Sequence, residues 1–122
     1  MPYEIIREPH GVYKRFWGVV TPGEFLASVR GFHSDPQFEH IRYTINDFSA
    51  TESFAMGEGA IEDTAAINIG ASYVNSRYRI LAVTEDPVII GMARKYDAVS
   101  DMPPILVFPT LLDARQWLSA SG

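Results

Sequence analysis

A chain of 122 residues, 47% of them hydrophobic, is long enough for one domain that buries roughly two thirds of its unfolded surface, so a single domain over residues 1–122 is expected. Ten Lys and Arg against 15 Asp and Glu give a formal charge of -5; with no positive face to neutralise phosphates, nucleic acid is disfavoured as a partner. The absence of cysteine excludes disulfides, thiolate nucleophiles and cysteine-ligated metals.

Met1-Pro2-Tyr3-Glu4 has neither the basic run nor the apolar run of a signal peptide. No stretch of about 18 apolar residues is available to span a bilayer. A cytoplasmic protein that does not cross a membrane is expected.

Tyr3 to Glu8 alternates like an edge strand, and Glu8-Pro9-His10-Gly11 signals a turn, with Gly11 able to supply a positive φ where one is needed. Val12 to Val20 reads as the second strand of a hairpin, with Gly18 marking a bulge or the close approach of another backbone. Thr21-Pro22-Gly23-Glu24 is a helix start: Thr at the N-cap, Pro at the first helical position, and Glu placed to close a capping box. That helix offers Phe25, Leu26, Val29 and Phe32 to the interior and is expected to stop near Gly31.

The stretch from Ile41 to Val74 organises the rest. Ile41 to Phe48 is rich in β-branched and aromatic residues and reads as a central strand that stops at a turn-prone Asp47 and Ser49. A polar loop with Ser49, Thr51, Glu52 and Ser53 follows, then Gly57 and Gly59, then a helix in which Ile61, Ala65, Ile69 and Tyr73 recur every four residues. Arg77 to Thr84 is the next strand. Asp86-Pro87 starts a third helix with Val88, Ile89, Met92, Ala93 and Tyr96 inward, and Asp97 to Pro104 is a loop. Ile105 to Phe108 is a short strand, and Thr110 to Asp113 caps a last helix burying Leu111, Ala114, Trp117 and Leu118.

The order is β-β-α-β-α-β-α-β-α. Repeated strand, helix, strand alternation implies parallel pairing through right-handed crossovers. The fold class is therefore α/β: a mixed, mostly parallel five-stranded sheet with four flanking helices, the first strand antiparallel to the second.

Asp47-Phe48-Ser49 and the closing Phe108-Pro109-Thr110-Leu111-Leu112-Asp113-Ala114-Arg115-Gln116-Trp117-Leu118, on this element order, resemble the SpoIIAA-like branch of the STAS (sulfate transporter and anti-sigma-factor antagonist) domains. The resemblance covers nearly the whole chain. It implies a module for protein interaction, or for sensing nucleotides or hydrophobic ligands, rather than catalysis. Phosphorylatable members of the wider family carry a D-S-S-G type motif at the helix after the third strand. Laying Asp47-Phe48-Ser49 on the family's D-L-S puts Ala55, Met56 and Gly57 where Asp, Ser and Ser fall, so the matching phosphoacceptor is missing, and Ser49 and Ser53 do not replace it in position. The related branch is also likened to the CRAL-TRIO lipid-transfer fold, which keeps a hydrophobic ligand open.

In an open parallel sheet, function sits at the carboxyl ends of the strands. The candidate partner-binding residues are accordingly Asp47, Ser49, Thr51, Glu52, Ser53, Phe54, Met56 and Glu58. Ile67 and Val74 join them, because Ala60, Ile67 and Val74 widen the apolar surface of the second helix beyond what one sheet face covers. A protein partner, a homodimer or an apolar small molecule could cover that flank. The bland reading of Ser49 to Ser53 is a turn that satisfies its own backbone.

Gly57-Glu58-Gly59 begins like a dinucleotide fingerprint, but Glu62 occupies the third glycine position, and acids at a helix start repel phosphate. Glu58, Glu62 and Asp63 read as a helix start favoured by the macrodipole, with a hard cation as the alternative. His10, His33 and His40 lack zinc spacing, and no G-x-S-x-G elbow occurs. No catalytic residue, metal or cofactor is expected. The leading reading is a non-enzymatic STAS-like interaction or regulatory module; the alternative is a carrier or sensor of a small hydrophobic, lipid-like ligand.

Overall fold

In the computed structural model, residues 3–33, 38, 40–54, 56–72, 78–100 and 103–120 are described, and Tyr73 and Val74 lie outside them. The elements are β1 (Tyr3–Glu8), β2 (Gly11–Val20), α1 (Pro22–His33), β3 (Tyr43–Phe54), α2 (Glu58–Ser72), β4 (Arg79–Val83), α3 (Pro87–Val99), β5 (Leu106–Phe108) and α4 (Leu111–Ala120). The expected order is observed, and the five strands lie side by side in sequence order. β1 is antiparallel to β2, and β2 through β5 are parallel.

Alternation along the strands separates two faces. Val12 and Phe16 of β2, Phe48 of β3 and Ile80 and Ala82 of β4 point to the side covered by Phe25 and Val29 of α1, Ile61 and Ala65 of α2 and Ile89 and Tyr96 of α3. Ile45, Leu81 and Val83 point to the opposite side, against Ala114 of α4 with Phe108, Trp117 and Leu118 packed around them.

The helix starts follow the expected chemistry. Thr21 N–H donates to Glu24 Oε1 at 3.0 Å while Glu24 N–H donates to Thr21 Oγ1 at 3.2 Å, a closed capping box. Thr21→Ala is expected to cost about 1 kcal/mol in urea denaturation, since it leaves the first-turn donors without this acceptor. Asp86 caps α3, accepting from Val88 N–H at 2.9 Å with Pro87 in the first turn. Thr110 Oγ1 accepts from Asp113 N–H at 3.1 Å at the start of α4.

Two helix ends and two residues differ from expectation. α1 runs through Gly31 to His33, and α3 runs past Asp97 to Val99. Val88 is exposed, and its neighbour Ile89 in the same turn takes the buried side. Gly11 has no positive φ; it is needed for space, since a Cβ there would lie 2.3 Å from the ring of Tyr43, its partner across the ladder. Gly18 does have a positive φ, of 64°, at a shift of register between Gly18 and Val19, so the bulge read from the sequence is present.

The largest departure is β3. It does not stop at Asp47 and Phe48 but continues to Phe54, paired with β2 as far as Val20. Pairing with β4 covers only Tyr43 to Asp47. Ser49, Thr51, Glu52 and Ser53 are therefore strand residues, not a loop. Cross-strand partners in β2 outweigh the turn propensity of a hydroxyl-rich run.

Candidate functional site

Beyond Asp47, β2 and β3 continue as a two-stranded ribbon past the end of β4. Its inner side is pinned by rings: Phe48 stacks on Phe16 and on Phe54, both at 5.0 Å between centroids, and Phe25 of α1 lies 5.1 Å from Phe54. Along it Ser49, Ala50, Glu52 and Ser53 are exposed, as is Val19, at 60%. Among the described residues, no strand pairs with the far edge of β3 from Phe48 onward.

Asp47 does not face solvent with this group. It is buried on the α4 side of the sheet and accepts from Tyr13 OH at 2.5 Å, Ser49 N–H at 3.0 Å and Ser49 Oγ at 2.6 Å. Register shifts between Arg15 and Trp17 here, and the Asp47 carboxylate takes up the Ser49 N–H inside that bulge. Burial and the Asp47 contact push the Tyr13 phenol well above its ordinary range.

The same face holds a second set of polar contacts. Arg115 of α4 grips Glu8 of β1 through two bonds of 2.6 Å and lies 5.5 Å over the ring of Tyr13. Tyr43 OH also donates to Glu8. The Arg115 guanidinium holds the Glu8 carboxyl below its usual range, while burial and the Glu8 contact push Tyr43 up to about 12. Every polar tip in this set has a partner, so its part is to tie α4 and β1 to the sheet.

The other expected partner-binding residues divide. Phe54 is buried in the aromatic cluster, because it ends a strand rather than a loop. Met56 is half-buried against the core. Glu58 begins α2, and Val74 falls outside the described residues. Ile67 is half-buried against the cluster of Phe25, Val29 and Phe54. α2 contacts both α1 and α3. Glu62 and Asp63 are exposed, as are His10 and His40. Among the described residues, no three acidic or histidine side chains come together to hold a metal ion.

A second feature lies on the helical side. Between the sheet and α1, α2 and α3 is a cavity of about 70 Å³. Its sheet side presents Lys14 and Asn46, which are direct partners across the β2–β3 ladder. Lys14 is 2% exposed, donates to Ser28 O at 3.3 Å, and is pushed down by burial to a pKa of about 7. Asn46 is 8% exposed, and its Oδ1 has no hydrogen-bond partner. Sequence reading gave neither residue a role. The signal was the alternation itself: Val12, Lys14 and Phe16 share one parity, which places a lysine on the buried face.

Among solved structures, the anti-sigma factor antagonist SpoIIAA superposes with a TM-score of 0.62, over 96% of this chain and 97% of its own, at 12% identity. The chain has the SpoIIAA-like fold. An uncharacterized protein from Shewanella loihica PV-4 with a SpoIIAA-like fold superposes with a TM-score of 0.54, covering 95% of this chain and 91% of that one, again at 12% identity. At that identity the likeness establishes architecture alone. No protein-family model matches the sequence, and no curated protein does. The SpoIIAA-like resemblance in Asp47-Phe48-Ser49 and the terminal helix therefore holds at the level of fold. Among the described residues, no helix is long and apolar enough to cross a membrane.

Proposed function

We propose that this chain is a non-enzymatic, cytoplasmic regulatory module that works by contacting another protein through the β2–β3 ribbon. The observation that carries the reading is the length of β3: its last residues extend beyond β4, leaving a strand edge unpaired among the described residues and Val19, Ser49, Glu52 and Ser53 exposed beside it. Such an edge accepts a strand from a partner, whether another protein or a second copy of the chain. SpoIIAA, which shares the architecture, is an anti-sigma factor antagonist. Ala55, Met56 and Gly57 stand where the resemblance puts the acidic and serine residues of phosphorylatable members, so contact here is proposed to run without that serine switch.

Affinity capture from extract of the producing cell tests this, with the native chain compared against a Val19→Asp, Glu52→Lys variant. Both substitutions lie on exposed positions, so circular dichroism and Tm are expected to stay unchanged. The expected result is a captured protein that the variant loses. Identical captured sets from the two chains would place the contact elsewhere.

A second reading, uptake of a small molecule, is supported by the cavity under α2. Its volume corresponds to about five waters, which suits a compact molecule and is short of a lipid chain.

A further inference from the structure

The ten Lys and Arg are not spread evenly over the fold. None lies in residues 16–29, 48–76, 80–93 or 105–114, the segments that hold the ends of β2 to β5 and the starts of the four helices. Because β2 to β5 run parallel, those strand ends and helix starts gather at one end of the sheet. Glu52, Glu62, Asp63, Glu85 and Asp86 belong to the same segments and are all exposed. Helix starts favour acids, which accounts for Asp86, the cap of α3. It does not account for Glu52, which lies inside a strand, where Glu is disfavoured. Arg15, opposite Asp47 at the base of the ribbon, lies 5.6 Å over the Trp17 ring.

The unpaired edge of β3 opens onto this acidic end. β4 stops at Val83, opposite Asp47, and Glu85 and Asp86 follow two and three residues later in the chain. From Phe48 to Phe54 no strand among the described residues pairs with that edge. A second copy paired there edge to edge would set the acidic end of one chain against that of the other, each chain carrying a formal charge of -5. Like charges placed opposite one another oppose that pairing. The same field favours a strand of opposite sign.

We propose that the free edge of β3 takes up an extended basic segment of another protein as an added strand, its Lys or Arg side chains meeting Glu52 and Glu85. This inference rests on the ribbon reading above and adds the chemistry of the partner to it. Main-chain bonds along the ladder supply affinity but do not read sequence, so the acidic surround selects which strand is accepted.

The probe is a short blocked peptide alternating lysine and valine. One control carries glutamate in place of each lysine; the other carries proline in place of each valine, which removes ladder donors. Each is titrated into the full chain and followed by amide NMR, at about 0.02 M and about 0.5 M salt. The expected result is saturable shifts and slowed amide exchange from Phe48 to Phe54 with the lysine peptide, and neither with the controls. Affinity is expected to fall about tenfold at the higher salt and about tenfold in Glu52→Lys, Glu85→Lys, both substitutions being at exposed positions. Equal binding of the proline control overturns strand addition, and equal binding of the glutamate control overturns selection by charge. No binding of the lysine peptide overturns the basic partner; a protein still lost from capture by Val19→Asp, Glu52→Lys then leaves the ribbon reading standing with a partner of other chemistry. The salt series and both controls use the native chain, so they decide the matter even where the variant fails to fold.

Discussion

Replacing Lys14 with Met is expected to raise stability at pH 7 and to abolish a rise in stability that the native chain shows between pH 7 and pH 10. Lys14 is 2% exposed, and burial lowers its pKa from 10.5 to about 7. In the unfolded chain the amine keeps its proton up to its ordinary pKa, whereas the folded chain releases it from about pH 7 upward. Between those values the unfolded state binds more protons, so stability climbs with pH. The penalty is fully present below pH 7 and fades toward 10.5, a change on the order of 3 to 5 kcal/mol across the window. Above pH 10 the sign reverses, because Tyr13, Tyr43 and Tyr78 all have raised pKa values and the unfolded phenols ionise first. Methionine fills the same space without a charge to desolvate, so its gain at pH 7 is expected at about 1–4 kcal/mol, on the scale seen when buried ionic groups give way to apolar ones. Urea denaturation of both chains from pH 7 to pH 10 measures this. Parallel profiles would show that Lys14 is solvated or paired with a carboxylate.

Phe16→Ala is expected to cost about 3–5 kcal/mol in the same assay. Phe16 is 0% exposed, with the rings of Phe48, Phe25 and Tyr3 at 5.0, 5.6 and 5.9 Å from its own. It touches α1, the base of the ribbon and the edge strand together, so truncation leaves a void that no single neighbour can refill. The exposed Val19, three residues along the same strand, gives the contrast: Val19→Ala is expected to stay within about 0.5 kcal/mol. A Phe16→Ala cost below about 1 kcal/mol would mean that the aromatic cluster does not hold the ribbon to the helices.

The architecture was legible because local signals agreed with one another. The capping box at Thr21 and Glu24, the Asp86-Pro87 start, and a glycine in the middle of a β-branched run each named a boundary or a bulge on local chemistry alone. The end of β3 was not legible, because Ser49 to Ser53 looks like a turn until Trp17 to Val20 is there to pair with it, and that pairing is tertiary. α2 likewise meets both α1 and α3, contacts that its own periodicity does not specify.

The interior chemistry could have been suspected. Lys14 and Asn46 each sit at a buried parity between apolar neighbours, and alternation alone places both toward the helices. Their lying opposite one another across the β2–β3 ladder is a matter of register, which a single sequence does not specify for parallel strands joined by a helix. Asp47 shows the reverse error. It was read as an exposed strand-end carboxylate, yet Tyr13 and the Ser49 backbone enclose it on the α4 side.

The most direct measurement is the titration of the Lys14 side chain by NMR of its 13Cε resonance, assigned by comparison with Lys14→Met. A midpoint of about 7 is predicted. A midpoint at 10.5 would contradict the buried amine.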